Sequence, residues 1–169
     1  MPATSRSPLH AVPPLQRAIA WALVIAVIGY FTLGKAHFSV EGLWDVSVHQ
    51  RRVLRLVPLD EFRAPSTWYG PWLNFFGNVA LFLPVGFLLG SAERGAVIGL
   101  ILSVCIEAAQ WIFASGYTDI DDVIFNTAGA ALGGWLAAAL SSRNNALGVW
   151  VISAGAAVLS LIFLASIVR

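Results

Sequence analysis

Charge is scarce in this sequence. Asp, Glu, Lys and Arg make up 11% of its 169 residues, against roughly 25% in soluble globular domains. With 58% hydrophobic residues and a mean hydropathy of +0.77, that shortage excludes an ordinary water-soluble domain and points to an integral membrane protein. The net charge of +1, with basic residues scattered along the chain, gives no nucleic-acid surface. Cysteine is nearly absent. The single Cys105 excludes a disulfide framework and any CxxC metal or redox site, and its apolar surroundings mark it as a packing residue. The chain also lacks a P-loop, a nucleophile elbow, an HExxH motif and internal repeats. It implies no cofactor.

What it has is apolar sequence in separated blocks, each close to the roughly 20 residues needed to cross hydrocarbon. They run at about Leu15–Gly34, Leu73–Gly90, Gly95–Ser115, Asp122–Leu140 and Ala146–Val168. The first exceeds the roughly 7–15 apolar residues of a signal peptide. The expected fold is all-α: one polytopic membrane domain over residues 15–169, a bundle of about five transmembrane helices behind a disordered tail, residues 1–14. The long connection spans residues 35–72. There Val53, Leu54, Leu56 and Val57 among Arg51, Arg52 and Arg55 suit an amphipathic segment in the headgroup region. Trp68, Tyr69 and Trp72 suit the membrane interface where the second block enters. Lys and Arg counts nearly cancel across the loops. The base-free loop holding Asp119, Asp121 and Asp122 favours an amino terminus inside, with those acids on the outer, periplasmic or extracellular, face.

Polar residues in the blocks recur at helical spacing. Asp119, Asp122, Asn126, Gly129 and Gly133 follow one another at 3, 4, 3 and 4 positions and share a face. Gly129 and Gly133 form a GxxxG pair that lets another helix approach closely. Asp121 points off that stripe and is expected to cap the helix. In the third block Gly99, Ser103, Glu107, Gln110 and Ala114 recur at 4, 4, 3 and 4 positions. Glu107 lies near the middle of its block, where a carboxylate facing lipid costs several kcal/mol, so it must face protein, a partner or water. Gln110 is its nearest neighbour on that helix. The second block contributes Asn74 and Asn78 one turn apart, then Pro84, which frees a carbonyl, and Gly86, which gives room at the bend. The two asparagines either join a pocket with Glu107 and Asn126 or bond between helices. The first and fifth blocks carry few polar groups and read as walls.

NVALFLPVGFLL, IEAAQ and DIDDVIFNTAGAALGG, with RLVPLDEF ahead of them, resemble the VanZ-like family in order and spacing over about residues 55–140. The resemblance implies a small polytopic membrane protein, and an association with resistance to teicoplanin rather than vancomycin. It places the family's acidic and amide positions on Asn78, Glu107, Gln110, Asp119, Asp122 and Asn126, and its structural positions on Pro84, Gly86, Gly129 and Gly133. Relatives often carry an arginine three residues before the first of these aspartates, where this chain has Gly116. Either Arg51, Arg52 or Arg55 replaces that counter-charge, or the ligand differs.

Four functions fit these residues. The first is a non-enzymatic envelope protein that meets a lipid-linked cell-wall precursor or a lipoglycopeptide at the bilayer margin. The second is an intramembrane enzyme on a lipid phosphate, with Mg²⁺ on Asp119, Asp122 and Glu107. The third is a transporter or flippase, which needs a homo-oligomer because five helices make a thin wall. The fourth is a structural subunit that tolerates an amide at Glu107.

Overall fold

The computed structural model describes residues 12–34 and 52–167. The notional tail up to residue 11, and the stretch 35–51 with Lys35 and Arg51, lie outside the described residues. Helix α1 spans Pro14–Leu33, with proline in the first turn where its missing N–H costs nothing. A strand β1, Arg52–Arg55, and a single turn α2, Asp60–Arg63, follow. Helices α3, Gly70–Leu89, and α4, Ala92–Phe113, are joined at Gly90, whose φ of 67° stops α3 and turns the chain. Ser91 then caps α4, its hydroxyl accepting from the Arg94 N–H. A second strand, β2, Gly116–Asp119, leads into α5, Ile120–Ala139, and α6, Ser142–Ile167, completes the bundle.

The fold is the all-α membrane bundle expected, with four helices, α1, α3, α4 and α6, long and apolar enough to cross a membrane. The sequence pattern gave about five such spans. The fifth, α5, is 20 residues long, but it opens with Asp121 and Asp122 and is the most enclosed helix of the set. It packs along both α3 and α4. Enclosure removes the need for an apolar surface all round, which is why this helix carries the polar stripe.

The glycine pair of α5 is spent inside the chain. A Cβ at Gly129 would stand 2.4 Å from the Val79 carbonyl oxygen, and one at Gly133 only 1.9 Å from that of Leu83. On the facing helix a Cβ at Gly86 would meet the Ala130 oxygen at 1.6 Å. Backbone therefore touches backbone along the α3–α5 seam, as small-residue faces permit in lipid. The same face cannot also serve a homo-oligomer. Phe82, Val85, Leu88, Ala130, Ala137 and Val149 fill the core between these helices. Large apolar side chains such as Val151, Ile162 and Ile101 cover the outside, as a bundle in lipid requires.

Three local expectations are corrected. Within the expected amphipathic segment, residues 52–55 are extended rather than helical. They are a strand paired in parallel with β2, Arg52 opposite Gly116 and Arg55 opposite Asp119. Arg52 and Arg55 stand three positions apart, a helical rather than a strand spacing, and the pairing with Gly116–Asp119 overrides it. The cap of α5 is Asp119, whose Oδ1 accepts from the Asp121 N–H at 2.9 Å, so Asp121 is free for another task. Ala114 leaves the stripe of α4 by adopting a left-handed φ of 52°, ending the helix.

Candidate functional site

The three aspartates at the head of α5 do three different things. Asp119 caps the helix while its Oδ2 lies 3.9 Å from the Arg55 guanidinium. Asp121 is buried and takes the Leu59 N–H on both carboxylate oxygens, at 2.8 and 3.1 Å. That contact holds Leu59 at a φ of 59°, a conformation costing a non-glycine residue of order 1 kcal/mol. It ties the segment around α2 to the end of α5. Phe62 of α2 completes the tie by packing edge-on against Trp72 and Phe125, 5.3 and 6.4 Å between ring centres. Asp122 turns the other way: its Oδ1 accepts from the side-chain amides of Asn74 at 3.0 Å and Asn78 at 2.7 Å.

Glu107 serves the backbone. Its Oε2 accepts from the Asp119 N–H at 2.8 Å, which anchors the end of β2 to the interior of α4. The Thr118 hydroxyl adds a second tie, to the Glu107 carbonyl oxygen at 3.4 Å. This is the protein partner that a deep carboxylate requires. Asn126 is likewise internal, donating to the Ser103 hydroxyl at 2.9 Å across the α4–α5 contact. Gln110 reaches away from Glu107 to donate to the Thr32 carbonyl of α1 at 3.0 Å.

The proposed seam therefore divides. Asn74, Asn78, Gln110, Asp119 and Asp122 line one cavity of about 800 Å³; Glu107 and Asn126 stand behind its wall. Apolar walls come from Val24, Val27 and Phe31 of α1, Leu73, Leu81 and Pro84 of α3, and Ile152 and Leu159 of α6. Ala80, whose carbonyl Pro84 deprives of its helical donor, lines it too. At one end α3 and α6 meet where Phe87 crowds Gly148. Both helices line the cavity. A volume of this size is within the range of small-molecule sites, and it is apolar in its depth and polar at its mouth.

Arg55 is the residue the helix patterns did not assign. It pairs with Glu61, approaches Asp119, and lies 4.7 Å over the Tyr117 ring. A cation therefore faces the acids across the β1–β2 pair, in the neighbourhood where Gly116 leaves none on β2 itself. Asp119, outside the spanning helices, has its carboxyl pushed up to about 6, by burial first and by the neighbouring Asp122 and Asp121 charges next, against its capping bond and Arg55. Among the described residues no three His, Cys, Asp or Glu side chains are grouped to hold a metal. Glu107, Asp119 and Asp122, the set considered for Mg²⁺, are directed to a backbone amide, a cap and two asparagines.

Residues 21–141 match the model of the VanZ/LLP1 family. The chain belongs to that family. It is also similar to Protein VanZ of Enterococcus faecium, at 33% identity over 119 residues, which cover 66% of this chain and 67% of that protein. No solved structure matches it. The VanZ/LLP1 match includes both strands, Arg55, the two asparagines and all three aspartates, whereas the α6 wall of the cavity lies beyond it.

Proposed function

We propose that this VanZ/LLP1 protein acts without catalysis at the bacterial envelope. It holds a lipid-linked or lipid-tailed molecule in the cavity and so lowers susceptibility to teicoplanin-type lipoglycopeptides. The observation that carries the reading is the cavity itself: apolar between α1, α3 and α6, and bounded at its mouth by Asn74, Asn78, Asp119 and Asp122. A tail leaving the bilayer finds an equally apolar lining, while the attached polar group meets fixed hydrogen-bonding partners it lacks in hydrocarbon. The chain sits as a multi-pass protein in the cytoplasmic membrane with its amino terminus inside. Thr32, near the end of α1, lines the same cavity as the aspartates, so this orientation puts the mouth at the outer leaflet.

The test is growth inhibition by teicoplanin and by vancomycin in a susceptible bacterium. It carries an empty vector, the protein, or its Asp122→Asn variant, at matched membrane levels. Selective protection from teicoplanin that is lost in the variant is expected. Protection indifferent to Asp122 would remove the mouth from the mechanism.

A further inference from the structure

Resting on that reading, we infer that the cavity selects an amphiphile whose head is a hydrogen-bond-donating cation, a primary ammonium, rather than a phosphate. The first ground is charge. Among the described residues, Glu61, Asp119 and Asp122 line the cavity, and Arg55 is the one Lys or Arg that does. That guanidinium is already engaged by Glu61, lies near Asp119 and is seated over Tyr117. A phosphate would have to draw Arg55 from these partners and then face the remaining carboxylates, whereas an ammonium meets opposite charge without rearranging them.

The second ground is the balance of donors and acceptors. The amides of Asn74 and Asn78 donate to Asp122, and that of Gln110 donates to Thr32. Gln110 lines the cavity at 8% exposure, and its Oε1 has no donor partner. A buried acceptor without a partner is uncommon in a folded protein and calls for one. An ionised phosphate offers no hydrogen, but an ammonium offers three. Burial and crowded carboxylates also push the Asp119 carboxyl up, and a bound cation relieves that crowding.

Native mass spectrometry of the purified protein in detergent tests this with two probes, a long-chain primary amine and the alkyl phosphate of the same chain length. Gly77→Leu, which fills the cavity, measures adducts bound elsewhere. The amine should bind about tenfold or more tightly than the phosphate. The preference should fall toward equality in Asp122→Asn, which removes a charge but keeps an oxygen for Asn74 and Asn78. Phosphate bound equally or better, and displaced by Gly77→Leu, would overturn the head-group assignment and leave the cavity reading standing. Neither probe bound in a Gly77-dependent way would overturn both.

Discussion

Gly77 offers a way to close the cavity without damaging the protein. It lines the cavity from α3, and a Cβ built on it has no heavy atom within 4 Å. Replacing an interior helical glycine with alanine favours the helix by about 1 kcal/mol, and leucine is nearly as good a helix former. Gly77→Leu should therefore fold at least as stably as the parent. The added side chain and a bound tail compete for one space, so the penalty falls on the bound state alone. Forcing extra methylenes into occupied space costs about 1–3 kcal/mol, or roughly 5–150-fold in affinity. The assay pairs thermal unfolding in detergent with teicoplanin susceptibility at matched membrane levels. An undiminished midpoint with protection reduced toward the empty vector is expected. Full protection by Gly77→Leu would refute the claim that the cavity is where the protein acts.

Other predictions probe the frame around it. Gly133→Ala places a methyl 1.9 Å from the Leu83 oxygen and must part α3 from α5; a loss of about 1–3 kcal/mol is expected despite the gain in helix propensity, and an unchanged unfolding midpoint would contradict the close seam. Glu107→Gln keeps an oxygen for the Asp119 N–H, while Glu107→Leu orphans that amide at a cost of about 1–3 kcal/mol. Hydrogen exchange at Asp119 should be accelerated in the leucine variant and near wild type in the glutamine one; equal exchange in all three would remove Glu107 as the anchor of β2. Asp119 binds a proton more readily folded, with its pKa pushed up from 3.8 to about 6, so its contribution to stability is full below about pH 4 and lost as pH rises through about 6. The difference in unfolding midpoint between the parent and Asp119→Asn, which keeps a capping oxygen, should shift toward the variant from pH 4.5 to pH 7 by the equivalent of about 2 kcal/mol; a pH-independent difference would refute the burial of that carboxyl.

The long helices were legible because each needs only local information: apolar length for the four spanning candidates and a 3–4 spacing for the stripe of α5. The same local signal put Gln110, Asp119 and Asp122 on polar stripes and Asn74 one turn from Asn78, and left open whether the asparagines join a pocket; all five line one cavity. What it could not hold was pairing at a distance. Arg52–Arg55 becomes a strand only because Gly116–Asp119 lies beside it, more than 60 positions later in the chain. The GxxxG face named no partner; the carbonyls of Val79 and Leu83 on α3 supply it. Glu107 and Gln110 sit one turn apart, yet one turns to the Asp119 amide and the other to Thr32 of α1. Helical spacing says which side chains share a face. It does not say which atom each will reach.

That distinction explains why so apolar a chain keeps acids so close together. Asp121 is spent on the Leu59 amide, and its loss frees a strained turn together with the segment that carries Arg55 and Glu61 to the mouth. Asp119 is half structural, since one oxygen caps α5 while the other lies toward Arg55. Asp122 turns its carboxylate to the side-chain amides of Asn74 and Asn78 on the adjoining α3. Asn at Asp122 therefore changes the charge presented to a ligand while leaving an acceptor in place, whereas substitution at Asp121 first changes where the mouth is. A loss of protection on replacing all three together would not separate these causes. The single exchange at Asp122 does, because the α5 cap and the Leu59 tie do not depend on it.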